Sequence, residues 1–148
     1  MIDCLFVYGT LMRAAATVAM GRDMRARLDA EGDWLGAATL CGRLYDLGAY
    51  PGLVRSTRNG ERVHGEVYRL RDPHASFVWL DAYEGLPAGQ TRSHEYERVV
   101  DRALRRDGST IEAWVYGLIT EPNGARFVAE ASASGRAVLR WRAMLKTA

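Results

Sequence analysis

Residues 72–85, Asp-Pro-His-Ala-Ser-Phe-Val-Trp-Leu-Asp-Ala-Tyr-Glu-Gly, carry a helix signal at each end. Asp72 can cap the segment, and Pro73 suits a first turn, where a missing N–H costs nothing. Gly85 sits where a helix stops in the left-handed conformation. A helix bounded this way divides the chain into strands before it and strands after it. Phe77 and Leu80 are three residues apart and Glu84 follows Leu80 by four, so Glu84 lies on the apolar stripe at the last turn. A carboxylate there breaks two local rules. A helix C-terminus favours cations, and an apolar stripe disfavours an ionised group. Both effects raise a carboxyl pKa toward neutrality, as a general base or acid needs. The pattern also admits a plainer reading, in which Glu84 fans into solvent beyond Gly85.

Ahead of this helix, residues 2–8 (Ile-Asp-Cys-Leu-Phe-Val-Tyr) form a buried strand ended by Gly9 and Thr10. A helix over residues 11–20 follows, with Thr10 as its cap. A strand running through a glycine turn into a helix start leaves backbone N–H groups suited to a carboxylate or phosphate. The glycine spacing is neither that of a P-loop nor that of a dinucleotide fingerprint. Residues 29–33 read as a turn and 34–47 as strand, with Gly36 and Gly42 marking bulges or corners. Residues 50–54 return to extended chain. Arg58-Asn59-Gly60-Glu61 is a hairpin signal. In the next strand, 63–70, Val63, Gly65 and Val67 face one way while His64, Glu66, Tyr68 and Leu70 face the other. After the helix, 95–105 and 110–119 form a hairpin around Arg106-Asp107-Gly108-Ser109, with Trp114, Tyr116 and Leu118 on one face. Residues 126–146 read as a closing helix. The sum is one α+β domain over residues 1–148: a small, curved mixed β-sheet or β-barrel with flanking helices.

Charge narrows the partners. The 148 residues carry a formal net charge of +2, and Lys146 is the only lysine among 20 basic residues. The arginines are scattered and adjoin acids, as at Glu97-Arg98 and Asp101-Arg102, which describes a solvated surface rather than a nucleic-acid stripe. His64, His74 and His94 lack zinc-site spacing, and Cys4 and Cys41 make neither a disulfide framework nor a metal cluster. No run approaches the length of a membrane span. The expectation is a cytoplasmic protein with no nucleic-acid or membrane partner and no metal.

Three motifs in order resemble the γ-glutamyl cyclotransferase superfamily, including its avirulence-induced-gene-like and γ-glutamylamine cyclotransferase branches. They are Tyr8-Gly9-Thr10-Leu11; Tyr50-Pro51-Gly52-Leu53-Val54 with Gly65-Glu66-Val67-Tyr68; and Leu80-Asp81-Ala82-Tyr83-Glu84-Gly85 with Tyr96-Glu97-Arg98. The resemblance spans roughly residues 1 to 120. It implies a small barrel or curved mixed sheet with flanking helices. It also implies release of 5-oxoproline from a γ-glutamyl compound without cofactor or metal. Glu84 then matches the catalytic glutamate, and Tyr8, Gly9, Thr10 and Leu11 match the substrate-holding turn. Tyr96 is placed either as a hydroxyl in the pocket or as an aromatic at its rim. Tyr68 and Tyr116 read as packing residues, and Arg98 as the partner of a surface acid. Two departures stand out: residues 87–95 are longer and more polar than in compact members, and Phe127 lies where longer members place a tyrosine. The first bears on the mouth of the pocket, and the second leaves the leaving amine open. The alternative class is a non-catalytic protein that binds or senses a small carboxylate on the same fold.

Overall fold

A computed structural model describes residues 1–9, 11–13, 21–47, 51–56, 61–122 and 126–127. The elements in chain order are β1 (Cys4–Val7), α1 (Arg22–Glu31), β2 (Gly32–Asp46), β3 (Pro51–Arg55), β4 (Arg62–Leu70), α2 (Pro73–Tyr83), β5 (Tyr96–Arg105), β6 (Thr110–Leu118) and β7 (Arg126–Phe127). Five of the strands close a ring. β2 pairs antiparallel with β4, β4 with β1, β6 with β5, and β5 back with β2. The ring is sealed by a parallel contact of β1 with β6, centred on Leu5 and Trp114. Four antiparallel contacts and one parallel contact make this the small mixed barrel, with helices beside it, that the α+β reading expects.

Alternation along the strands separates two cores. Phe6, Leu40, Leu44, Leu53, Val63, Val67, Ala113 and Val115 fill the barrel. Leu5, Leu28, Tyr68, Leu70, Phe77, Leu80, Tyr116 and Leu118 form a second layer under the helices. Each large side chain in these layers contributes roughly 1.5–3 kcal/mol of burial free energy. A Cβ on Gly65 would meet the Val7 carbonyl oxygen at 2.3 Å and the Phe6 ring at 2.4 Å. The bare backbone at Gly65 is thus what lets Phe6 lie across β4. β2 changes register between Trp34 and Gly36, where Gly36 has φ 108°. That is the bulge its glycines announced.

Three expectations are corrected. Residues 29–31 are not a turn but the end of α1, which starts after Gly21 in the left-handed region (φ 77°) without a side-chain cap. Gly32 and Asp33 already belong to β2. The Asn59-Gly60 signal joins no hairpin: β3 and β4 each pair with β2 and not with each other. Arg126 and Phe127 are strand, paired with Asp46 and Tyr45, where a helix was expected. The remainder of that closing helix, the helix over 11–20 beyond residue 13, and residues 57–60 of the turn lie outside the described residues. No helix among the described residues is long and apolar enough to cross a membrane.

Candidate active site

α2 brings Glu84 to the site because both of its ends are locally specified. Asp72 Oδ1 accepts from the Ala75 N–H at 3.3 Å, with Pro73 in the first turn. At the other end the Gly85 N–H donates to the Ala82 carbonyl at 3.1 Å and the Leu86 N–H to the Asp81 carbonyl at 2.8 Å. Gly85 has φ 81°. This Schellman arrangement stops the helix at Glu84 and fixes the direction in which its side chain leaves.

Glu84 lines a cavity of about 540 Å³ together with Val7, Tyr8, Gly9, Leu11, Tyr96 and Tyr116. Of the residues singled out in the sequence, the structure therefore brings together Glu84, Tyr8, Gly9, Leu11 and Tyr96. Thr10 lies outside the described residues. Burial, with the Asp81 carboxylate second, pushes the Glu84 carboxyl up to about 7. The residue as a whole is half-buried, while its carboxyl is desolvated. Desolvation is one of the two causes read in the sequence; the second here is an acid one turn away.

The Tyr8–Gly9 end of β1 is held in place twice. The Tyr8 hydroxyl donates to the main-chain carbonyl of Tyr116 at 2.5 Å, across the parallel side of the barrel. Beyond the turn, the Met12 N–H donates to the Gly9 carbonyl at 3.1 Å and the Arg13 N–H to Oε1 of Glu66, a buried acid on β4. The Tyr8 phenol is raised far above its ordinary range by burial and then by Glu84, so it stays protonated. Tyr96 is buried and its ring lines the cavity wall.

Two expectations are revised. Tyr116 is not packing alone: its hydroxyl donates to Asp81 Oδ1 at 2.6 Å while it lines the cavity. Arg98 does pair with an acid, but not at the surface. It binds Asp81 through Nε at 2.8 Å and Nη2 at 3.2 Å, with the two side chains only 11% and 18% exposed. Tyr68, by contrast, packs as expected, and its hydroxyl donates to Asp29 at 3.1 Å, away from the cavity. Sequence reasoning also missed Ser93, Glu95 and Tyr83 on the cavity wall. The polar run over 87–95 was the only signal for the first two. Among the described residues no group of His, Cys, Asp or Glu could hold a metal ion.

The five-stranded mixed barrel thus carries one desolvated carboxyl at a helix end, on the wall of a cavity that a glycine turn also lines. Comparison with known proteins places it. The family described as "Gamma-glutamyl cyclotransferase, AIG2-like" matches residues 5–136. A Vibrio cholerae protein named "Putative gamma-glutamylcyclotransferase" is 35% identical over 119 residues, 76% of this chain and 78% of that one. The chain belongs to this family, which is a family of enzymes. Among solved structures, an AIG2-like protein from Mus musculus matches with a TM-score of 0.65 at 19% identity, over 90% of each chain. YkqA from Bacillus subtilis matches with a TM-score of 0.56 at 22% identity over 80% of this chain, which spans only 36% of that longer one. Both likenesses concern the fold.

Proposed function

We propose that the protein releases 5-oxoproline and a free amine or amino acid from a small γ-glutamyl compound, with Glu84 as general base and acid. The observation that carries this reading is the Glu84 carboxyl, raised to about 7, in a cavity that the Tyr8–Gly9 turn also lines. An α-ammonium group is no nucleophile until it loses a proton, and a carboxylate with affinity near neutrality takes one without holding it too tightly. The amine then attacks its own γ-carbonyl and closes a five-membered lactam. Collapse of the adduct breaks the bond to the leaving nitrogen, which takes the proton back from Glu84. The lactam nitrogen keeps one of the three ammonium hydrogens, and the other two leave on the expelled amine. The backbone N–H groups of Gly9 and Leu11 are the proposed cradle for the substrate α-carboxylate, fixing the amine beside its carbonyl. Tyr96 would close one wall against water. No cofactor or metal enters the scheme.

The test is 5-oxoproline release from a panel of γ-glutamyl amines and γ-glutamyl dipeptides, wild type beside Glu84→Gln. Release by the wild type alone supports the reading and ranks the leaving groups. Equal turnover by Glu84→Gln overturns Glu84 as the base. Binding of a glutamate-like ligand with no turnover of any panel member would favour a carboxylate-binding protein instead.

A further inference from the structure

Two carboxylates occupy the last turn of α2, three residues apart, and their surroundings differ in kind. Asp81 receives three donors. Arg98 Nε and the Tyr116 hydroxyl meet Oδ1 at 2.8 and 2.6 Å, and Arg98 Nη2 meets Oδ2 at 3.2 Å. The guanidinium sits in the corner of two rings that meet edge-to-face, 3.9 Å from the Phe77 centroid and 4.6 Å from that of Trp114. Phe77 belongs to α2, Arg98 to β5 and Trp114 to β6, so three elements fix one side chain. A bidentate pair packed into such a corner has little freedom to relax. Glu84 shares the turn, yet among the described residues no side chain donates a hydrogen bond to its carboxyl.

We infer that the Arg98–Asp81 pair is a positioning element of this site, fixing the Asp81 carboxylate one turn from Glu84 so that it sets where Glu84 gives up its proton. The inference rests on the reading of Glu84 as the base. Asp81 becomes a fixed acceptor that aims the Tyr116 hydroxyl, and the Tyr116 carbonyl in turn anchors Tyr8. The other ionisable groups on the cavity wall are the phenols of Tyr8, Tyr83, Tyr96 and Tyr116, and Glu95 at the exposed rim. Burial raises Tyr8 and Tyr116 out of the working range. Solvent screens Glu95. That leaves Asp81 as the charge that sets when Glu84 gives up its proton.

The experiment is a carboxyl-carbon NMR titration of Glu84, assigned by its loss in Glu84→Gln, beside the pH profile of kcat/KM. Asp81→Asn keeps the shape and an oxygen for the Tyr116 hydroxyl but removes the charge. The Glu84 midpoint should fall by on the order of one pH unit, the size of effect one nearby like charge exerts, and the acid limb of the profile should move with it. Asp81→Asn leaves Arg98 without its anion, so the neutral double variant Asp81→Asn/Arg98→Gln serves as the second measurement if the single variant does not fold. It should show the same lowered midpoint. A midpoint unmoved in both, whatever happens to melting temperature, would make the pair a structural brace and overturn the inference. Full turnover by Glu84→Gln is a different failure, because it removes the base itself and this inference with it.

Discussion

Glu31 and Glu84 are both glutamates packed against α2, and they have been driven in opposite directions. Glu31, the last residue of α1, meets the middle of α2, where it accepts from Ser76 Oγ at 2.7 Å and from Trp79 Nε1 at 2.9 Å. Arg27 adds a third donor at 2.9 Å from one turn earlier in α1. Desolvation acts on it most strongly, but the three donors together outweigh it and hold the carboxyl below its ordinary range. Glu84 sits at the end of the same helix, where desolvation is joined by the Asp81 charge and the carboxyl rises to about 7. Burial alone therefore does not decide a carboxylate's proton affinity. The donors that come with it do. One glutamate ties two helices together, and the other is left available for chemistry.

The comparison can be broken most sharply by activity. Glu84→Gln should lower kcat/KM for γ-glutamyl substrates by about 10²–10⁴-fold, the usual contribution of a general base. Glu31→Gln should leave turnover within a few fold. Steady-state kinetics on the two variants reads both outcomes, and equal losses would mean that Glu31 also serves the reaction. Stability should reverse the order. Glu31→Gln should cost on the order of 1–3 kcal/mol in urea unfolding at neutral pH, because charge-assisted bonds to Ser76 and Trp79 weaken. A stability unchanged by Glu31→Gln would refute its role as a tie.

The sign of the pH dependence separates them further. Glu31 is depressed, so its stabilisation is present above the ordinary carboxylate range and lost as pH falls through its folded value. Glu84 is raised, so the folded state favours its protonated form, and that stability is lost as pH rises through about 7. Glu84→Gln should thus match the wild type near pH 4 and exceed it at pH 8, by on the order of 1–2 kcal/mol. A melting-temperature series across pH checks this, and a Gln variant weaker at pH 8 would contradict the raised carboxyl. The smallest effect belongs to the helix end. Gly85→Ala should cost about 1 kcal/mol, since φ 81° is unfavourable for alanine although its Cβ would meet open space. The helix end should then loosen and kcat fall a few fold with KM little changed.

How legible each part was follows from how local its causes are. α2 could be read because Asp72, Pro73 and Gly85 act within a turn of themselves. The β5–β6 hairpin could be read because Asp107 and Gly108 make their own turn, with Asp107 Oδ1 accepting from the Ser109 N–H at 2.9 Å. α1 escaped notice because Gly21 caps it without a side chain and its buried face is little more than Arg25 and Leu28. The Asn59-Gly60 signal misled because pairing is settled by β2, a strand long enough to serve β3 and β4 on different stretches. In the site, Glu84 and the Tyr8–Gly9 turn were visible as local anomalies. The Arg98–Asp81–Tyr116 chain was not, since it joins residues 17 and 35 positions apart that only the closed barrel brings together.

The parallel side of the barrel has a consequence for how the protein is made. Tyr8 reaches Tyr116 across 108 positions of sequence. A chain emerging from the ribosome through β5 holds four of the ring's five strands, yet the wall that meets Tyr8 does not exist until β6 arrives. Contacts of such long range form late. In a chain-length series, turnover should therefore appear abruptly once β6 is present rather than grow in step with secondary structure, making catalysis a reporter of ring closure.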